Sequence, residues 1–257
     1  MTSSALKGLG GVVFFLLAWE LFIDSAVIHF EYLPPPSKIC IAWLSLVQQQ
    51  KYWLEISHTL FAAVLGWLIA SFIGIVLGAA LAISKRFRQF SLTTIEVLRP
   101  LPGVAFAPVG LLLFGFSLNM ELTVICLPTL WPILMNTMAG ILNLSKKLEE
   151  VVNILHLTPT EAIRKIYFPA AATSVLVGLR ISLSLAVVMA VVAEMIGNPE
   201  GLGYAIVREQ QAMNPNDMFA YIFTVGCIGI CINYLLSQLA IYILPGQFLR
   251  KDIAQTI

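Results

Sequence analysis

Charge is what this sequence has least of. Lys, Arg, Asp and Glu together make up 11% of the 257 residues, where soluble domains carry about 25%. A chain with 59% hydrophobic residues and a mean hydropathy of +0.88 cannot cover a water-facing surface, and this excludes a soluble globular domain. Cysteine is also sparse. Cys40, Cys126, Cys227 and Cys231 show no CxxC spacing. They read as small core residues, not as a disulfide framework or zinc site. His29, His58 and His156 are scattered, with no HExxH and no clustered carboxylates, so no metal site is expected. There is no GxxxxGK[ST], so the chain has no P-loop with which to bind ATP itself. The formal net charge of +1 points to no nucleic-acid partner.

What the chain has in quantity is apolar length. A hydrocarbon core of about 30 Å needs about 20 apolar residues in a helix. Six runs qualify as transmembrane candidates: 8–28, 57–83, 91–116, 120–142, 171–196 and 218–243. The first is interrupted by Glu20 and Asp24. It lacks a small-residue cleavage site and reads as an uncleaved anchor helix. The third is broken by Pro100, Pro102 and Pro108. Such breaks are tolerated against other helices or a water-filled path. The fold class is therefore an all-α membrane protein of about six helices. A row of Gly66, Ala70, Gly74 and Gly78 marks the second run as a closely packed bundle helix.

Basic residues give the orientation. Lys7, Lys85, Arg86, Arg88, Lys146, Lys147, Arg164, Lys165, Arg250 and Lys251 fall on one set of ends; Lys38, Lys51 and Arg208 fall on the other. The richer side is cytoplasmic, with both termini, and it includes the stretch 143–170.

That stretch contains EVVNILHLTPTEAIRKIYFP, from Glu150 to Pro169. Val151, Val152, Leu155 and Leu157 give one apolar side to a short helix, with Glu149 and Glu150 at its start, where acidic groups suit the helix dipole. The sequence then predicts a break at Thr158-Pro159, a cap at Thr160 and a second helix from Glu161 to Tyr167. Pro169 opens the next span. Apolar residues exposed to cytosol need a partner: a separate protein, or the chain's own cytoplasmic surface.

Three ionisable groups sit inside the spans, where charge is expensive and therefore a candidate for function: Arg99, Arg180 and Glu194. Fourteen residues separate Arg180 from Glu194, nearly four turns and about 21 Å, with Ser184, Val187 and Val191 on the face between. Arg99 and Arg180 either set a positive field on an anion's route or form, with Glu96, a buried ionic network that fixes helix packing. Glu194, just before GNPEGLGYAI, is placed either to brace an outer gate or to cap that loop.

The 150–169 spacing resembles the EAA loop of ABC importer permeases: Glu-Ala-Ala, three residues, Gly, nine residues, Ile, one residue, Leu-Pro. Glu150 falls on the family's Glu, His156 on its Gly, Ile166 on its Ile and Phe168 on its Leu. Val151 and Val152 replace the alanines. Further segments match in order: YLPPPSKICIAWLSL, EVLRPLPGVAFAPVGLLLFGF, LWPILMNTMAGI, GLRISLSLA, VVAEMIG and GLGYAI. They are similar to the nitrate/sulfonate/taurine group of these permeases. The long insert between spans one and two of the cyanobacterial nitrate and bicarbonate members is absent, which favours the sulfonate/taurine-like branch.

The resemblance implies a type I, MetI-like permease core with an extra N-terminal helix: residues 1–56 carry that helix and an extracytoplasmic segment, and 57–257 the core. It implies a transport subunit in the bacterial inner membrane, acting as a homodimer or with a similar chain. The expected partners are a cytosolic ABC ATPase dimer, which binds the ATP, and an extracytoplasmic substrate-binding protein. The ATPase-docking residues it implies are Glu150, Val151, Val152, Leu155, His156, Leu157 and Pro159. Arg99, Pro102, Pro108, Arg180, Ser184 and Glu194 are the candidates for path or gate. No cofactor of the chain's own is expected. The cargo implied is a small sulfonate-, taurine- or nitrate-like anion, with a thiamine-precursor pyrimidine or an aromatic carboxylate as alternatives. A polytopic enzyme would show a convergent nucleophile, base or metal set. A stand-alone secondary transporter would show internal repeats and need no docking loop.

Overall fold

The computed structural model describes residues 3–24, 32–143, 152 and 154–243. They are helical almost throughout: α1 (Ser3–Asp24), α2 (Pro36–Val47), α3 (Gln50–Ile83), α4 (Lys85–Leu98), α5 (Ala107–Phe114), α6 (Leu118–Leu142), α7 (Pro159–Ala162), α8 (Phe168–Gly197), α9 (Gly201–Gln211) and α10 (Pro215–Ile243).

Four of these helices, α3, α6, α8 and α10, are long and apolar enough to cross a membrane. The expected third span is not straight. Its helices, Lys85–Leu98 and Gly103–Phe114, meet at 88°, because Pro100 and Pro102 cannot continue a helix. They count as a fifth span only as a pair. The expected first span is helical as α1, but its apolar part, Val13–Ile23, is shorter than a crossing. Glu20 explains the interruption: it accepts the Ser37 backbone N–H at 3.0 Å and the Ser37 hydroxyl at 2.6 Å, capping the first turn of α2.

α6 stands between α3 and α8, and small residues set the spacing on both sides. A Cβ on Gly66 would lie 2.6 Å from Ile125 Cγ2, and one on Gly78 would lie 2.6 Å from the Leu134 carbonyl oxygen. Across the other face, a Cβ on Gly140 would meet Ser174 Cβ at 2.7 Å, and one on Gly178 the Pro132 carbonyl at 2.9 Å. Lipid gives apolar helix faces no reason to leave it, so close backbone approach supplies the contact that holds the bundle. Trp67 adds a polar tie: its Nε1–H reaches the Leu179 carbonyl at 3.1 Å and Ser182 Oγ at 3.0 Å. Cys126 is half-buried and donates to the Gly66 carbonyl, whereas Cys40, Cys227 and Cys231 are exposed, so only one cysteine is a packing residue as expected.

The two ends of the bundle differ. At one end, Leu81, Ala82, Ile95, Leu134, Met138, Ile141 and Ala171 form an apolar cluster. Arg88 closes it by donating to the carbonyls of Leu81 (3.0 Å) and Ala82 (2.9 Å), where the α3 dipole favours a cation. The opposite end carries buried polar groups and α9.

The packing makes a stability prediction. Gly78→Ala places a methyl against a backbone carbonyl that cannot swing aside; overpacking of this kind costs about 1–3 kcal/mol. Gly229→Ala, with nothing within 4 Å, should leave the melting temperature unchanged. Equal melting of the two variants in detergent would contradict the close α3–α6 approach.

Candidate functional site

Glu150 and Val151 lie outside the described residues. So do residues 144–149 and Asn153 of the same loop. Val152 and Leu157 are half-buried, while Ile154 and Leu155 are 74% and 58% exposed. His156 sits at φ +45, the left-handed region that glycine enters without strain. This is the position where the EAA pattern has its Gly. The turn is therefore kept although the residue is changed, and the Leu157 N–H to Val152 carbonyl bond at 3.2 Å closes it.

The next helix starts differently from the sequence expectation. Thr158 is the cap, not Thr160. Its Oγ1 accepts the Glu161 N–H at 3.4 Å, and Glu161 Oε2 accepts the Thr158 N–H at 3.2 Å, a reciprocal capping box. Thr158 bonds to Pro159's successor helix in this way because Pro159, without an N–H, fits the first turn. Lys165 donates to Glu161 at 3.0 Å. That bond, with those from Thr158, holds the Glu161 carboxyl down at about 2. The arrangement is thus complete above the ordinary carboxylate range and is lost only as pH falls through about 2. Pro169 opens the next candidate span, Pro169–Gly197, as expected, but the helix itself begins earlier. A π-helical turn, Ile163–Tyr167, joins α7 to α8 without a break. Pro169 has no N–H to continue the regular ladder, and a π turn is the usual local adjustment. The C-terminal part of the loop, from Pro159, consequently lies on the same continuous helix as Glu194.

At the far end of that helix the structure gathers residues the sequence left apart. Glu121 and Glu194 are 0% and 1% exposed. Glu194 Oε2 accepts from Thr59 Oγ1 (3.0 Å) and the Gly203 N–H (2.8 Å). Thr59 in turn accepts the Leu202 N–H at 2.9 Å. Glu194 therefore holds α9 onto α3 and α8, as a brace would. Gly201, at φ +87, lies so close that a Cβ would be 2.2 Å from the Glu194 carboxyl carbon. His58 faces Glu121 through Nε2 at 3.1 Å and Glu200 through Nδ1 at 3.0 Å. The Asn198 amide donates to Glu121.

A second polar group lies beside it. Glu55 is paired with Arg208 at 2.6 Å and accepts the Tyr221 hydroxyl at 2.7 Å. Burial works against the Arg208 charge, but the bonds to Glu55 and Glu209 outweigh it and raise its pKa. Tyr52 extends the network to Thr224 (2.9 Å) and Trp43 (3.0 Å). An open cavity of about 880 Å³ lies over both groups, bordered by Lys51, Glu55, His58, Glu200, Tyr204 and Arg208. Sequence reasoning missed Glu55, His58, Glu121, Asn198 and Tyr221. Glu121 was the readable one, since a carboxylate one residue inside a span carries the same signal as Glu194.

The arginines are arranged otherwise than a buried network would be. Glu96, Arg99 and Arg180 are all exposed on this chain. Among the described residues no ion pair joins them; Arg180 Nε donates to Asn233 Oδ1 at 2.9 Å instead. The face shared by Arg180 and Glu194 changes environment along its length: Arg180 and Ser184 are exposed, Val187 and Val191 buried. Arg99 borders a cavity of about 360 Å³ between α6 and α8, with Pro128, Trp131, Pro132 and Asn136. Pro102 caps the short 3-10 turn Gly103–Phe106, and Pro108 lies in the first turn of α5. Gly103 packs on Pro128, where a Cβ would be 2.7 Å from the ring.

Residues 70–247 match the family of binding-protein-dependent transport system inner membrane components. The chain belongs to this family. As such a permease it is the multi-pass inner-membrane subunit of an ATP-driven ABC importer. It is similar to SsuC of Bacillus subtilis, described as an aliphatic sulfonates transport permease, at 30% identity over 87% of this chain and 81% of that one. The nitrate import permease NrtB of Leptolyngbya laminosa is 28% identical over 77% and 71%. The formylaminopyrimidine transport permease ThiX of Halalkalibacterium halodurans is 28% identical over 94% and 97%. Among solved structures, a chain from the inward-facing conformations of the MetNI methionine ABC transporter superimposes with a TM-score of 0.66 at 16% identity, covering 73% of this permease and 95% of that chain. It supports the MetI-like fold.

The His156 turn yields a test of the permease loop. His156→Gly should keep ATPase stimulation and raise thermal stability slightly, since a non-glycine left-handed residue costs about 1–2 kcal/mol. His156→Val, with a branched Cβ at positive φ, should lose stimulation. Full activity in the valine variant would contradict a requirement for this turn.

Proposed function

We propose that this permease forms the path for a small organic or inorganic anion, of the sulfonate or nitrate kind. The reading is carried by its relatives, among which SsuC and NrtB are both described as permeases for such anions. The exposed Arg99 and Arg180 support it. A positive field lowers the cost of moving an anion through a low-dielectric region, and neither arginine is neutralised by a carboxylate among the described residues. The similarity to ThiX over nearly the whole chain favours a second reading, a neutral pyrimidine cargo.

The mechanism rests on the loop and the helix that continues from it. The Glu150–Pro159 segment docks on a cytosolic ABC ATPase, with Val152, Leu155 and Leu157 as apolar contacts and Glu150 as the acidic residue of the motif. One chain offers one such loop, and an ATPase pair needs two, so the permease works as a homodimer or beside a similar chain. Both termini lie on the cytoplasmic side with Lys85, Arg86 and Arg88. The substrate-binding protein meets the opposite end, above the cavity lined by Lys51, Tyr204 and Arg208. ATP is bound and hydrolysed by the partner.

The deciding measurement is ATP-dependent uptake into proteoliposomes by the permease assembled with its ATPase and binding protein. Labelled alkanesulfonate or nitrate should accumulate. Accumulation of an aminopyrimidine with no anion uptake would replace the anion reading by the second one. In the same system, Arg99→Gln and Arg180→Gln should lower anion flux while the melting temperature holds, because both side chains are exposed and neither is in an ion pair among the described residues. A drop in melting temperature with flux per assembled complex unchanged would assign them to structure instead.

A further inference from the structure

We propose that His58, Glu121 and Glu194 form a binding site for a divalent transition-metal ion of the zinc class, fastening α3, α6 and α8 at the end opposite Lys85–Arg88. One ligand atom from each of the three residues lies within 4.8 Å of the others. A zinc ion holds nitrogen and oxygen ligands at about 2.0–2.2 Å. Three such atoms around one ion stand about 3.3 Å apart. His58 Nε2 and Glu121 Oε1 already stand at 3.1 Å. Only the third atom has to close in.

The second observation is the state of Glu194. Its side chain is 1% exposed. Oε2 has two donors, but Oε1 has no hydrogen-bond partner. A buried carboxylate oxygen without a partner is costly, and this one belongs to a group converging with His58 and Glu121. The nearby cations do not serve it: Arg208 and Lys51 are committed to Glu55 at 2.6 and 3.9 Å. Of the two fully buried carboxylates only Glu121 is paired with the imidazole, and a divalent ion between them would neutralise what the protein leaves uncompensated.

The imidazole is set up for ligation. His58 Nδ1 faces Glu200 Oε2 at 3.0 Å. A carboxylate on one ring nitrogen fixes the proton there and turns the lone pair of the other toward the metal. Here that is Nε2, the nitrogen facing Glu121. Asn198 completes the arrangement: half a turn of its amide exchanges Nδ2 for the oxygen, a neutral fourth ligand. Imidazole with carboxylates suits zinc or manganese and argues against magnesium, which takes oxygen. Access is open, because His58 and Glu200 border the 880 Å³ cavity.

The test uses the complete transporter, purified on a tag without histidine and stripped with EDTA. Zinc is back-titrated, and bound metal per permease is measured after desalting, with melting curves in parallel. About one zinc per permease and a melting temperature raised by zinc are expected. His58→Gln and Glu194→Gln should abolish both. Glu200→Gln should weaken zinc binding by about 10–100-fold, as loss of an orienting carboxylate does. His58 and Glu200 are partly exposed, so those two variants carry the test if Glu194→Gln fails to assemble. Absence of stoichiometric zinc in the wild-type complex overturns the proposal, as does binding that is unchanged in His58→Gln. A metal-free wild type that is stabilised by Glu194→Gln overturns it too, and identifies Glu194 as a protonated carboxylic acid.

Discussion

The whole arrangement depends on how closely α6 can approach two neighbours at once. In lipid there is no hydrophobic reward for joining helices, so contact has to come from shape. Gly66 and Gly78 of α3 open one side of α6, and Gly178 of α8 the other, to within backbone contact. α6 itself contributes Gly140. It also carries Pro128 and Pro132 inside the helix, each of which removes an N–H and frees a carbonyl. Near them, the Asn136 side-chain amide donates to the Pro132 carbonyl at 2.8 Å. The Pro128 ring serves as the surface on which Gly103 rests. The bent α4–α5 pair is thereby fastened to the same central helix.

This packing gives the two ends different characters. The Lys85–Arg88 end is closed by apolar contacts and by an arginine on a helix terminus. The opposite end is closed by hydrogen bonds to buried carboxylates, which are directional and hold only one arrangement of partners. α9 is held by the Glu194–Thr59–Gly203 group on one side and by Glu55–Arg208–Tyr221 on the other. Between the ends, α7, the π turn and α8 run as one helix. Glu161 and Glu194 thus lie on one continuous helix that joins the two ends.

The fold class and the left-handed turn at His156 were legible in the sequence, and for physical reasons. Span lengths follow from bilayer thickness, and the glycine row follows from close packing; both are local patterns. The EAA spacing survives replacement of its glycine, because His156 still takes a positive φ. What was illegible is whatever depends on tertiary direction. Pro169 read as the start of a span and is one, but nothing in the sequence showed the π turn that continues the helix in front of it. Thr160 and Thr158 are equally good caps by type, and only the position of Glu161 relative to Thr158 decides between them. Glu96, Arg99 and Arg180 look like partners by their depth in the spans, but all three are exposed and, among the described residues, no ion pair joins them. His58, Glu121 and Glu194 are far apart in the chain and share no spacing.

A carboxylate at a span end has two stable solutions, and this chain uses both. Glu55 takes the expensive one, a guanidinium brought in from α9 with a tyrosine hydroxyl to complete its bonding. Removing one partner of such a buried pair leaves a bare charge, which costs about 3–5 kcal/mol. Glu194 takes the other, neutral donors from a threonine and a backbone amide. That satisfies one oxygen and leaves the second bare, in a cleft that Gly201 keeps open by having no Cβ. The difference is informative. Glu55 is bonded as a finished structural pair. Glu194 is held firmly through Oε2 while Oε1 stays free, which is how a protein presents a carboxylate to something it has yet to bind.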